Sequence, residues 1–217
     1  MGAVAAILGA ALLFVGTSLH PMETDPSVPL VVFREYAANR LWVASHLVQL
    51  SGIVFIVAAL VLLARKLAGG PAADWATLGM AGAIAGLGVA SALQAVDGVA
   101  LKVMVDTWAA TPQAGKVAVF RAAVAVREIE IGLASMTSLL FGLTASIYGI
   151  ALFIDGRFPK WLAASAVAGG VPTAVAGVVI AYAGFSPLSM AINLSAGSVL
   201  ILWMIVLGGY AFRRAMF

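Results

Sequence analysis

Ionised side chains are missing from five long stretches of this sequence: residues 1–22, 41–64, 75–96, 131–154 and 161–212 contain no Asp, Glu, Lys or Arg. A charge at the centre of a bilayer costs several kcal/mol, so uninterrupted charge-free runs are where membrane spans belong. One helical span takes about 20 apolar residues, and the runs measure 22, 24, 22, 24 and 52. The first four hold one helix each. The last is interrupted by Gly184-Phe185-Ser186-Pro187, whose glycine and proline favour a tight turn, and it holds two. The expected fold class is all-α, a polytopic membrane protein forming a single transmembrane domain over residues 1–217. Its six transmembrane helices lie near 3–20, 41–64, 75–98, 129–153, 161–183 and 189–212. With 63% hydrophobic and 10% charged residues, against about a quarter charged in soluble domains, a water-soluble globule is excluded.

The first basic residue is Arg34, so the first run lacks the positive flank of a cleaved signal peptide and is read as a retained span. Arg65 and Lys66 follow span two, Arg157 and Lys160 lie between spans four and five, and Arg213 and Arg214 follow span six. All three pairs fall on one side of a six-span chain, which the positive-inside rule makes cytoplasmic, with both termini inside. Arg34, Arg40, Lys102, Lys116, Arg121 and Arg127 lie on the other side, spread through two longer connections and mixed with acidic residues. Those connections carry helix signals. Asp25-Pro26-Ser27 opens a segment running to Asn39, and Thr111-Pro112 reads as an N-cap followed by proline at the first helical position of a stretch reaching Arg127, either a short interfacial helix or an extension of span four. Residues 21–40 and 99–128 thus form a small cap over the outer face.

The net charge of +3 comes from 12 basic and 9 acidic residues with no basic cluster, so no nucleic-acid partner is expected. Cysteine is absent, which removes disulfides, thiol catalysis and iron–sulfur ligation. Helices in lipid associate by close backbone approach. Gly79, Gly82, Gly86 and Ala90 mark such a face on span three, and Gly132, Ser135, Gly142, Ser146 and Gly149 one on span four. Besides the bilayer, a second copy or a membrane partner would use these faces. Gly169-Gly170-Val171-Pro172 in span five predicts a kink or short break.

The remaining polar residues gather at one level. His20 ends span one, His46 and Gln49 share a face of span two, Gln94 and Asp97 close span three, and Arg127, Glu128 and Glu130 open span four. Glu128 and Glu130 are about 200° apart on a helix, so only one faces the bundle, and the sequence leaves open which. Three readings follow. In the first, the ionised groups pair near the headgroups, Arg127, Lys102 and Arg40 with Asp97 and the glutamates, while the amides and His46 bond between helices. In the second, His46 carries a cation, a proton or a polar ligand at an outward-facing site, Gln49 and Gln94 orient it, and Asp97 with Glu130 or Glu128 supplies charge, His20 standing nearby. Binding or transport of a small ligand or ion would be its function. In the third, His20, His46, Asp97 and Glu130 hold a metal, or the two histidines a haem, in a membrane enzyme; no cofactor is required by the pattern, and no HExxH-type pair is present. Ser45 and Ser51 flank His46 without the turn of a nucleophile elbow, which argues against a serine hydrolase. A scaffold subunit with no site is the competing class.

The series His20-Pro21, Asp25-Pro26, Glu35-Tyr36-Ala37, Trp42-Val43, His46-Leu47, Leu93-Gln94-Ala95-Val96-Asp97-Gly98 and Arg127-Glu128-Ile129-Glu130 resembles a group of small bacterial six-span inner-membrane proteins of unassigned function. The resemblance covers the whole chain and implies a bacterial inner membrane, without a reaction or substrate.

Overall fold

The computed structural model describes residues 1–214 and 217, and among them it is all helix and connection. In chain order the elements are α1 (Gly2–Leu19), α2 (Pro29–Ala38), α3 (Trp42–Leu67), α4 (Ala73–Ala95), a wide π-type segment (Val96–Leu101), α5 (Lys102–Ala110), α6 (Gln113–Asp155), α7 (Lys160–Ala183) and α8 (Pro187–Arg213). The π-type segment joins α4 to α5 without a break, so the chain presents six helices long and apolar enough to cross a membrane. They run alternately up and down between two ends. One end carries α2, α5 and the start of α6, and is called the cap end below; the other carries Arg65, Lys66, Arg157 and Lys160.

Two of these helices are much longer than the charge pattern suggests. The third runs from Ala73 to Ala110 and the fourth from Gln113 to Asp155. At 1.5 Å per residue, the 43 residues of α6 reach about 64 Å, roughly twice the hydrocarbon thickness of a bilayer. The second connection is therefore no separate helix: α5 continues one span and the first turns of α6 continue the next. Thr111 does not cap α6, because its hydroxyl donates to Thr107 O at 2.6 Å and closes α5 instead. Pro112 is the residue before the helix. In the first connection the helix starts at Pro29 rather than Asp25, whose carboxylate instead accepts from Ser27 N and Oγ and makes a turn.

The cap has its own core, in which Val32, Phe33 and Tyr36 of α2 meet Leu101, Val105, Trp108, Ala123 and the first residue of α3, Trp42. Lys102 Nζ donates to the carbonyls of Tyr36 and Ala37, closing the open end of α2.

The helices pack through small residues, and most of the glycine faces read from the sequence is filled by this chain's own helices, Gly132 being exposed with open space beside it. A Cβ on Gly79 or Gly86 of α4 would press on Tyr148 or Phe141 of α6, and one on Gly149 of α6 would lie 2.8 Å from Ala163 O of α7. On α1, Cβ atoms at Gly9 and Gly16 would stand 2.8 Å from Gly52 O and Ser45 O of α3. Tyr148 OH donates to Leu60 O at 2.8 Å, joining α6 to α3. α7 passes unbroken through Pro172, so of the expected kink or short break the break is absent. Thr173 Oγ1 donates to Gly169 O within that turn. At the other end Gly156, at φ 73°, reverses the chain after α6, and Arg157 Nη2 donates to Lys66 O.

Candidate functional site

Three segments converge under the cap: the end of α1, the first turn of α3 and the π-type segment. Gly16 lets α1 lie against α3 one turn below His20, so the imidazole that follows Leu19 reaches the first turns of α3. His46 follows Trp42 by four residues and shares its face. The widened turn at Val96–Leu101 then presents Asp97 to both, π-type turns being frequent where a helix is re-aimed for function. Gly98 makes this possible. A Cβ there would sit 2.6 Å from His46 Cβ and 2.8 Å from Cγ, so only glycine allows this approach.

His46 Nε2 lies 2.9 Å from Asp97 Oδ2, a contact spanning 51 residues of sequence. Its other nitrogen, Nδ1, lies 2.8 Å from Trp42 O. A carbonyl only accepts, so Nδ1 carries a proton, and an ionised carboxylate only accepts too, so the Nε2–Oδ2 contact holds a second proton that a bound cation would displace. His20 repeats the arrangement: Nδ1 lies 2.8 Å from Pro21 O and donates to it, leaving the Nε2 lone pair free. Trp42 Nε1 donates to Asp97 O at 2.9 Å and so fixes the π-type segment to α3. Ring stacking completes the wall, with Trp42 4.6 Å from His20, 4.8 Å from His46 and 4.0 Å from Tyr36 between centroids.

One ligand atom from each of His20, His46 and Asp97 falls within a sphere where all three lie within 4.8 Å of one another. His46 is buried, and the other two are partly so. Burial pushes the His20 imidazole below its usual range, against the pull of the Asp97 charge, which favours the neutral, ligating form. Burial likewise pushes the Tyr36 phenol upward, keeping it an un-ionised hydrogen-bonding group. Asp97 Oδ1 has no hydrogen-bond partner among the described residues. Two imidazoles and a carboxylate suit zinc or another first-row divalent ion, with a position left for water or substrate. A haem does not fit between the histidines, since their rings are in tilted contact at 5.1 Å and leave no slot for a macrocycle.

The other residues singled out in the sequence divide. Gln94 Nε2 donates to Gln49 Oε1 at 3.2 Å, joining α4 to α3 one turn below Asp97 and His46. Glu130 is buried at 2% exposure, with Oε2 3.8 Å from Arg127 Nη1 and without a hydrogen bond. Glu128 is exposed, which answers the question of which glutamate faces inward. Lys102 pairs with Asp106 at 2.7 Å rather than with Asp97. The roles of Trp42 and Gly98 are not legible in the sequence; for Arg127 the sequence offers pairing with a glutamate, matched by its contact with Glu130, but not its bonds to the first connection. Arg127, 2% exposed, donates to Tyr36 OH at 3.1 Å and Pro26 O at 2.8 Å, and the Tyr36 and Phe185 rings flank it. It fastens the first connection onto α6. The four-residue interval from Trp42 to His46 and the glycine after Asp97 were the available signals.

No protein-family model, curated protein or solved structure matches this chain.

Proposed function

We propose that the chain is a multi-pass protein of the bacterial inner membrane, of the small six-span group it resembles, which binds a divalent transition-metal cation at His20, His46 and Asp97. The cap end faces outward and both termini lie in the cytoplasm, as the paired basic residues at Arg65-Lys66, Arg157 to Lys160 and Arg213-Arg214 support. The observation that carries the reading is the matched posture of the two imidazoles. Each gives its Nδ1 proton to a backbone carbonyl; His46 sets Nε2 against Asp97, and a ring nitrogen of His20 lies within 4.8 Å of both. Metal-binding histidines are held this way, because the second hydrogen bond fixes the tautomer and aims the ligating lone pair. A cation entering between them would replace the direct His46–Asp97 contact. Trp42 and Gly98 hold the ligands in place, while the Gln49–Gln94 bond closes the site toward the bundle centre.

The test is zinc titration of the purified protein by calorimetry, with metal content by mass spectrometry. The expected result is one zinc per chain, lost in His46→Ala and Asp97→Asn and weakened in His20→Ala, while Gln49→Ala retains it. Equal zinc binding by the wild type and the His46→Ala and Asp97→Asn variants overturns the proposal.

A further inference from the structure

α1 and α8 touch at one end and part toward the other. Near the basic end Gly208 lies so close to α1 that a Cβ on it would stand 2.7 Å from Ala3 O. Toward the cap end the two helices line opposite sides of a cavity of about 470 Å³, which α3 and α6 close from behind. Buried small-molecule sites measure about 300–1,000 Å³. No charged side chain borders the cavity. Its deep end is mainly apolar, made by Leu60 of α3, Phe141 of α6, and Trp203 and Met204 of α8, with Thr144 of α6 beside them. Nearer the cap the wall offers Asn193 of α8 and Thr137 of α6, and the Thr137 hydroxyl, shielded from solvent, has no hydrogen-bond partner.

From this geometry we infer a binding site for one hydrocarbon chain of a bilayer lipid, entering sideways between α1 and α8. The lipid's ester oxygens lie at the level of Thr137 and Asn193, and the tail runs down to Trp203 and Met204. Three observations select this occupant. Phe14 and Ser18 of α1 and Leu194 and Ser198 of α8 line the cavity and are exposed, on helices apolar enough to stand in hydrocarbon, so what reaches it comes from the bilayer rather than from water. The lining changes from amide and hydroxyl to mainly apolar along the cavity, Thr144 excepted, matching a molecule with an oxygen-bearing end and a hydrocarbon end. A hydroxyl without a partner in such surroundings is costly, and an ester carbonyl accepts its proton. The inference rests on the six helices crossing a bilayer and is independent of the cation site.

Gly197 provides the test. It lines the cavity, and a Cβ on it would meet nothing within 4 Å, so a large side chain there fills the space without striking the backbone. Gly209, on the same helix and equally open, lies outside the cavity and serves as control. The protein is reconstituted in phosphatidylcholine vesicles containing a lipid with a diazirine on its acyl chain, irradiated, and mapped by peptide mass spectrometry. The expected result is adducts both on outward-facing Leu202, 61% exposed, and on Met204, 3% exposed. Gly197→Trp should reduce the Met204 adduct at least tenfold and leave Leu202 labelled, whereas Gly209→Trp should change neither. Gly197→Leu is the smaller plug, to be read in place of the tryptophan variant if that variant does not fold. Labelling of Leu202 alone in the wild type, or Met204 labelling that survives both plugs, overturns the lipid site. Absence of labelling on both residues overturns the bilayer reading beneath it.

Discussion

Gly98→Ala is the sharpest test of the arrangement at the site. The added methyl would stand 2.6 Å from His46 Cβ and 2.8 Å from Cγ, whereas carbon atoms in contact rest about 3.5–4.0 Å apart. The π-type segment and α3 must therefore separate by roughly 1 Å, since His46 Cβ is fixed to its backbone and cannot swing aside. That displacement carries the His46–Asp97 contact from 2.9 Å toward or beyond hydrogen-bonding reach, and it also stretches the Trp42–Asp97 bond, likewise 2.9 Å. Overpacking of this kind costs about 1–3 kcal/mol, and disturbing the residues that orient metal ligands weakens binding by about 10–100-fold. Thermal unfolding in detergent reads the first effect and zinc calorimetry the second. Gly88→Ala, on the same helix with nothing within 4 Å of the added Cβ, is the control and should be neutral or slightly stabilising. A Gly98→Ala protein that melts and binds zinc like the wild type would refute the close approach on which the site depends.

Tyr148→Phe removes the hydroxyl bond to Leu60 O and should destabilise the protein by about 0.5–1.5 kcal/mol; an unchanged melting temperature would show that α6 and α3 are not joined there. Arg127→Leu frees the first connection and strips Glu130 of its counter-charge. The loss should approach the roughly 3–5 kcal/mol of a broken buried pair, with faster proteolysis within residues 21–40. Adding Glu130→Gln should restore part of that stability, and a double variant no better than the single one would count against their coupling. Gly142→Leu drives a side chain into the α7 backbone at Gly170 and Ala174, so crosslinking between cysteines introduced on α6 and α7 should fall; retention of wild-type crosslinking refutes the contact. In the cap, the Ser27 hydroxyl and amide hold the Asp25 carboxyl below its ordinary range. A carboxyl depressed in the folded state contributes stability above its unfolded pKa, lost as pH falls through the folded value. Ser27→Ala should therefore move the Asp25 titration upward by NMR, and an unmoved titration would dismiss the hydroxyl's part.

The six long helices were legible in the sequence because excluding charge from hydrocarbon acts residue by residue, without reference to any partner. Asp97 closing one charge-free run and His46 lying inside another were enough to place both at one level. Their contact was not legible, because it depends on how α3 and the π-type segment are rotated and how closely Gly98 lets them approach. The lengths of α5 and α6 were hidden for a related reason. Charged residues such as Lys116 and Arg121 mark the limit of an apolar stretch, but a helix whose backbone bonds are internal continues past that limit until a residue such as Pro112 stops it.

Sequence alone thus determined the number of helices long and apolar enough to cross a membrane, the gathering of imidazole, amide and carboxylate groups at one end, and the small residues available for packing, all consequences of local composition. Tertiary structure decided that Glu130 turns inward and Glu128 outward, that Arg127 fastens the cap, that most of the glycine faces is filled by this chain's own helices, and that α1 and α8 diverge around a cavity. These depend on helix rotation and separation, which follow from the joint packing of side chains distant in sequence.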